Sequence, residues 1–176
     1  HTQVIETLIR LGSTTIDTPD CRGWTPFNNA VSEKHASTIE TLMRLGSKAI
    51  DVPNKKGWTP LNIAAQHKDV SIFEMLVRLG SKAIDIPNNK GYTPIMVAAL
   101  CGHASTIEQL VRLGSTSIDT PSNDSKTPIY AAASNAHMSV IETLVRLGSS
   151  ALDTQTQTGI TPLMNAAEEG HSKVIE

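Results

Sequence analysis

The stretch RLGSKAIDVPNKKGWTP, Arg44 to Pro60, returns as RLGSKAIDIPNNKGYTP, Arg78 to Pro94, an offset of 34 residues. The offset holds along the whole chain. Thr-Pro pairs stand at Thr25-Pro26, Thr59-Pro60, Thr93-Pro94, Thr127-Pro128 and Thr161-Pro162. RLGS begins at Arg10, Arg44, Arg78, Arg112 and Arg146. A fixed period of this length constrains the fold more than any other feature. One unit cannot bury its own apolar face, whereas stacked copies cover one another. In this register the 176 residues form a single array. Four complete units span 25–58, 59–92, 93–126 and 127–160. A partial unit with its arm (1–24) precedes them and a second partial unit (161–176) follows.

Each unit reads as two helices and an excursion. Thr59 is a good N-cap, and Pro60 suits the first helical position because its missing N–H has no partner there anyway. A short helix, PLNIAAQH, follows; Ala64 and Ala65 let a neighbour pack closely. In HASTIETLMRLG, Ile39, Leu42 and Met43 fall at i, i+3 and i+4, one apolar face. Ser37 and Glu40 have capping-box spacing, as do Ser71/Glu74, Ser105/Glu108 and Ser139/Glu142. Gly46 ends the second helix in the left-handed conformation, and Arg44 suits the negative end of its dipole. Pro, Asn and Gly in SKAIDVPNKKGW exclude a long helix and predict an extended arm with a tight turn. Ile50 is expected to pin that arm to the body, as are Ile16, Ile84, Ile118 and Leu152. The fold class is therefore all-α: stacked helix-turn-helix units with hairpin-like arms.

Two repeat families share a two-helix unit near this length. The tetratricopeptide pattern of Trp, Leu-Gly and Tyr in the first helix is absent, and its short turns leave no room for the arm. The unit closely resembles the ankyrin repeat, on GWTPLNIAA from Gly57, GYTPIMVAA from Gly91 and GHASTIEQLVRLG from Gly102. The resemblance covers essentially the whole chain. It departs from the family in an extra residue between Gly46 and Asp51. The family's His after Thr-Pro-Leu, which ties neighbouring units through polar contacts, is here Asn28, Asn62, Met96, Tyr130 or Met164. Packing must substitute at Met96 and Met164. Ser125-Lys126 stands where most other units have Gly and an aromatic. If that position needs positive φ, Ser125 is strained, and residues 119–128 are expected to be less ordered.

The remaining patterns offer no catalytic residue, cofactor site or metal site. His1, His35, His103, His137 and His171 are periodic, with Asp69 in the gap, and belong to the fold. In the ankyrin family that His helps fix the turn between helices. His67 lies outside the series and is expected on the first helix, exposed. Asp17, Asp51, Asp85, Asp119 and Asp153 are periodic too, and are expected to accept backbone N–H bonds in the arms. Cys21 and Cys101 form no CxxC, which fits free thiols in a reducing, intracellular compartment, the cytoplasm. Net charge is −2 with acids and bases mixed, so nothing suggests nucleic acid. The apolar runs are too short for membrane insertion.

In ankyrin proteins the arms and first helices line a concave face that binds other proteins. The family's variable positions include Arg22, Lys55, Lys56, Gln66, His67, Asn89, Lys90 and Leu100. They also include one column of Trp24, Trp58, Tyr92, Lys126 and Ile160. Half of the six aromatics, both Trp among them, sit in that column. Trp, Tyr and Arg are the types that carry interface energy. The column is either a groove for a protein segment with apolar anchors and some acidic residues, or a brace over the base of each arm. Glu168 and Glu169 lie at the far end, so the groove would run from basic to acidic. The resemblance thus implies a non-catalytic protein-interaction module. A spacer or assembly array, or a fragment that recruits substrate for a catalytic domain elsewhere, are the other readings. His1 in place of Met, and ends without polar caps, are expected of a piece of a longer array. Val4, Ile5, Leu8 and Ile9 would be uncovered. A monomer is expected, with end-to-end stacking open to the uncapped ends.

Overall fold

The computed structural model describes residues 2–170. Among them are ten α-helices, two short 3-10 turns and no strand. The first helices of the units are α2 (Pro26–Ser32), α4 (Pro60–Ala65), α6 (Pro94–Cys101), α8 (Pro128–Ser134) and α10 (Pro162–Glu168). The second helices are α1 (Thr2–Arg10), α3 (Ala36–Arg44), α5 (Ser71–Arg78), α7 (Ala104–Arg112) and α9 (Met138–Arg146). His1 and His171 lie outside the described residues.

Every first helix starts in the same way. The Thr hydroxyl accepts the N–H three residues on, from Asn28, Asn62, Met96, Tyr130 and Met164 in turn, and Pro occupies the first position. In α2 and α4 the Asn side chain also returns to the Thr backbone, a reciprocal box in the first helix. The boxes expected in the second helices do not form. Ser37, Ser105 and Ser139 lie inside their helices, one position past the start, and Ser71 begins α5. None of these four helices has a side-chain cap of the expected kind. The glutamates instead reach across the stack, as Glu40 does to Arg78 and Glu74 to Arg112. Gly46 ends α3 at φ 92°, with Ser47 N–H bonded to Leu42 O at 2.9 Å.

The core runs through the stack as one column. Phe27, Leu61, Ile95 and Ile129 come from first helices; Ile39, Phe73, Ile107 and Leu144 come from second helices. Burying each such side chain contributes about 1.5–3 kcal/mol relative to leaving it exposed. Ile16, Ile50, Ile84 and Ile118 pack on that core and pin the arms, as expected. Leu152 does not, being 46% exposed. Val4 and Leu8 of α1 are exposed, whereas Ile5 and Ile9 are half-buried.

Three polar rungs repeat between units. Asp51 accepts from the Ser81 hydroxyl and from Lys82 N–H at 2.9 Å; Asp17, Asp85 and Asp119 do the same one unit away. Four of the five expected acceptors are thus found, with donors from the next unit; Asp153 makes no such bond among the described residues. His103 donates to Ala65 O at 3.3 Å and His137 to Leu100 O at 3.2 Å. Asn62 Nδ2 lies 3.3 Å from both Ile86 O and Tyr92 O, while its counterpart Met96 is simply buried. Packing does replace the polar tie there. Met164 is 57% exposed and makes no such substitution.

Candidate partner-binding face

The arms are held in shape by one side-chain acceptor each. Asp20 accepts from Trp24 N–H at 2.8 Å, Asn54 from Trp58 N–H at 3.1 Å and Asn88 from Tyr92 N–H at 3.1 Å. Ser122 and Thr156 do this through hydroxyls for Lys126 and Ile160. An Asx-type bond of this kind closes the turn without a strand ladder. It also fixes where the next side chain points. As a result Trp24, Trp58 and Tyr92 stand in register, half-buried, with one side packed on the core.

Between successive arms lie open hollows. Arg22, Trp24, Asn54, Lys56, Trp58, Ile63 and Gln66 line one of about 340 Å³. Lys55, Lys56, Trp58, Asn89, Lys90 and Tyr92 line the next, about 420 Å³. Trp58 and Lys56 belong to both. Asp124, Lys126, Tyr130, Thr156, Gln157, Thr158 and Ile160 line a third, about 330 Å³. Eleven of the residues singled out in the sequence therefore meet in these three hollows. Leu100 does not; it is half-buried against the core.

His67 departs from its expected place. It follows α4 rather than lying on it, it is half-buried, and its Nε2 is enclosed without a hydrogen-bond partner. Burial holds its pKa below the ordinary value; Lys34 and His103 push the same way, and the Ser32 carbonyl and Glu33 oppose them. Asp69, which occupies the position of the periodic His, accepts the Ser71 N–H at 2.9 Å.

Cations attend the rings. Arg22 lies 5.8 Å from the Trp24 ring centre and Lys90 6.0 Å from that of Tyr92. Lys126 lies 5.5 Å over Tyr130, not over a ring in its own column. Tyr130, though buried, therefore contributes its ring to the wall of the third hollow from the first helix, a role sequence reasoning missed. Its signal was an aromatic at a position that is otherwise Asn or Met. Ile63 and Asn54 were missed as well. Asp20 is engaged by Trp24 N–H and by Arg22, whose guanidinium is 2.9 Å away, and its carboxyl is held below the ordinary range.

The arms also bond to each other. Lys55, Asn89 and Asn123 donate backbone N–H bonds to Arg22, Lys56 and Lys90 carbonyls at 3.0–3.1 Å. The approach is tight: a Cβ on Gly91 would sit 2.7 Å from Asn123 N. Ser125 carries that Cβ, at φ 60°, and the matching bond from Gln157 N–H to Asp124 O is absent. Gln157 reaches the preceding arm only through its side chain, 3.0 Å from Asn123 O. Ser125 thus holds the left-handed backbone expected of a strained residue, and the backbone bond to the next arm is missing at this one junction.

Among the described residues, no group of three or more His, Cys, Asp or Glu could hold a metal. No helix among them is long and apolar enough to cross a membrane. Cys21 and Cys101 are free thiols. Against known families, the model for ankyrin repeats (3 copies) matches residues 1–86, 29–124, 80–150 and 95–176. A search of curated proteins found no match.

Proposed function

We propose that this chain, which belongs to the ankyrin repeat family, binds a protein partner on the face made by its arms and first helices, without catalysis. One observation carries this reading: Trp24, Trp58 and Tyr92 stand in register with one side on the core and the other lining open hollows. Trp58 lines both hollows and Trp24 and Tyr92 one each, so every ring offers a face to a partner as well as bracing its arm. Aromatic and Arg side chains in partly desolvated pockets are where interface energy concentrates. The mixed charge and net −2 favour a protein over nucleic acid. The free Cys21 and Cys101 favour a reducing, intracellular setting. The register of units from 1 to 176 is taken as one continuous array.

The test is affinity capture from lysate with three forms of the chain. They are the native form, a Trp24→Ala/Trp58→Ala/Tyr92→Ala form, and an Arg44→Ala/Arg78→Ala form altered on the second helices. Circular dichroism checks that each is folded. A protein held by the first and third forms and lost by the second supports the reading. Retention by all three places the partner elsewhere on the chain. A spacer or assembly array is favoured by the four near-identical Asp–Ser rungs. It predicts that no protein distinguishes the forms.

A further inference from the structure

The first three arm turns carry four cations, Arg22, Lys55, Lys56 and Lys90, against one carboxylate, Asp20, which Arg22 already engages at 2.9 Å. Among the described residues Lys55, Lys56 and Lys90 form no ion pair. No carboxylate lines either of the two hollows that flank Trp58. This end of the face therefore presents uncompensated positive charge directly beside apolar rings. The far end carries Asp124, Glu168 and Glu169 against Lys126, which shares the third hollow with Asp124, so the balance there is acidic.

Spacing adds a second constraint. Stacked helical units repeat at about 10 Å. A chain extended in the polyproline II conformation advances about 3.1 Å per residue with three residues per turn, so side chains three apart share one side. Side chains three residues apart on an extended segment thus fall one unit apart on the face. Trp58 separates two adjacent hollows, so such a segment would cross over it with one anchor on each side.

We propose that the first three arms dock an extended acidic segment of a partner protein. Its large apolar side chains enter the hollows on either side of Trp58, three residues apart, and its carboxylates meet Lys55, Lys56 and Lys90. This rests on the binding face described above. Complementary charge sets orientation and on-rate, while the apolar anchors supply most of the affinity. The acidic far end repels the same segment, which confines it to the first three arms.

A library of random peptides is selected on the immobilised native chain and counter-selected on the folded Trp24→Ala/Trp58→Ala/Tyr92→Ala form. The expected winners are acidic, with large apolar residues at i and i+3. A synthetic winner should bind roughly tenfold or more weakly to a Lys55→Glu/Lys56→Glu/Lys90→Glu chain, and more weakly as salt rises. That variant alters exposed side chains only, so it serves even if the aromatic variant does not fold. Winners that depend on Trp58 but are neutral or basic, or lack the three-residue spacing, overturn this proposal and leave the face standing. Winners indifferent to both variants, or none at all, overturn both. Tighter binding of poly-uridine than of any acidic peptide, with the same Trp58 dependence, overturns it in favour of a nucleic acid.

Discussion

Asp85 Oδ2 accepts the backbone N–H of Thr116 at 3.0 Å, across the junction between two units, while its other oxygen takes the hydroxyl of Ser115. Burial works against ionising this carboxyl, but the Ser115 and Thr116 bonds outweigh it and hold the pKa below the ordinary 3.8. A depressed carboxylate stabilises the fold above its unfolded pKa, and that contribution disappears as pH falls through the lower folded value. Asp85→Ala should cost about 1–3 kcal/mol at neutral pH, because charged hydrogen bonds are lost and the buried Ser115 keeps fewer partners. Urea unfolding of native and Asp85→Asn chains should show a gap at pH ~7 that narrows toward pH ~3. A gap that stays constant with pH would remove the carboxylate's charge from the explanation.

Ser125 is the one arm residue with a Cβ where Gly23, Gly57, Gly91 and Gly159 adopt φ 77–81°. Ser125→Gly should stabilise by about 1 kcal/mol through relief of the left-handed backbone alone. It should also let Gln157 N–H reach Asp124 O and slow its amide exchange. The converse change, Gly91→Ser, should cost more than the first gains, since its Cβ would meet Asn123 Oδ1 at 2.6 Å. Amide exchange across 119–128 in the native chain should exceed that around Gly91. Equal protection of the two arms would show that the Ser carries no strain.

Much of this architecture was legible from the 34-residue period, because stacking and turn chemistry must be repeated in every unit. The Thr-Pro helix starts, the left-handed Gly and the aromatic column are all local patterns. What was not legible depended on the neighbouring unit. Glu40 has capping-box spacing from Ser37, yet pairs with Arg78, 38 residues on. No pattern within one unit could distinguish those roles. His67 broke the series and so read as exposed, whereas in the fold it is half-buried near Lys34 and His103 of the flanking units. Tyr130 entered the third hollow from a helix, so the arm column did not reveal it.

Arg78 and Glu40 lie 3.3 Å apart but are 70% and 54% exposed. Holding two long side chains in one geometry costs rotamer entropy, and water screens their attraction. Arg78→Ala should therefore change stability by less than about 1 kcal/mol, despite a contact as regular as the Asp–Ser rung. A double-mutant cycle with Glu40→Ala measures the coupling. The expected order is that the Asp85 rung outweighs this pair, and the reverse order would mean that the second helices carry the junction.

His67 sits in the turn that departs most from its sisters. The turn between α6 and α7 uses the left-handed Gly102, at φ 78°, whereas Lys68 at the equivalent place is not left-handed. Burial and the nearby Lys34 and His103 disfavour the charged ring in the fold. In the unfolded chain His67 protonates near its ordinary 6.5; in the fold it resists until lower pH. Acidification through that value therefore favours the unfolded state, and the loss levels off once the folded pKa is passed. His67→Gln keeps a neutral side chain and removes this part of the slope. Urea midpoints of the native and variant chains, taken from pH ~7.5 to ~5.5, isolate it because the two chains differ at this residue alone. The native chain should lose ground to the variant as pH falls, and amides at 66–70 should exchange faster relative to those around Gly102. Midpoints that fall in parallel would mean that the ring is charged in the fold at no cost, and that its enclosed Nε2 finds a partner.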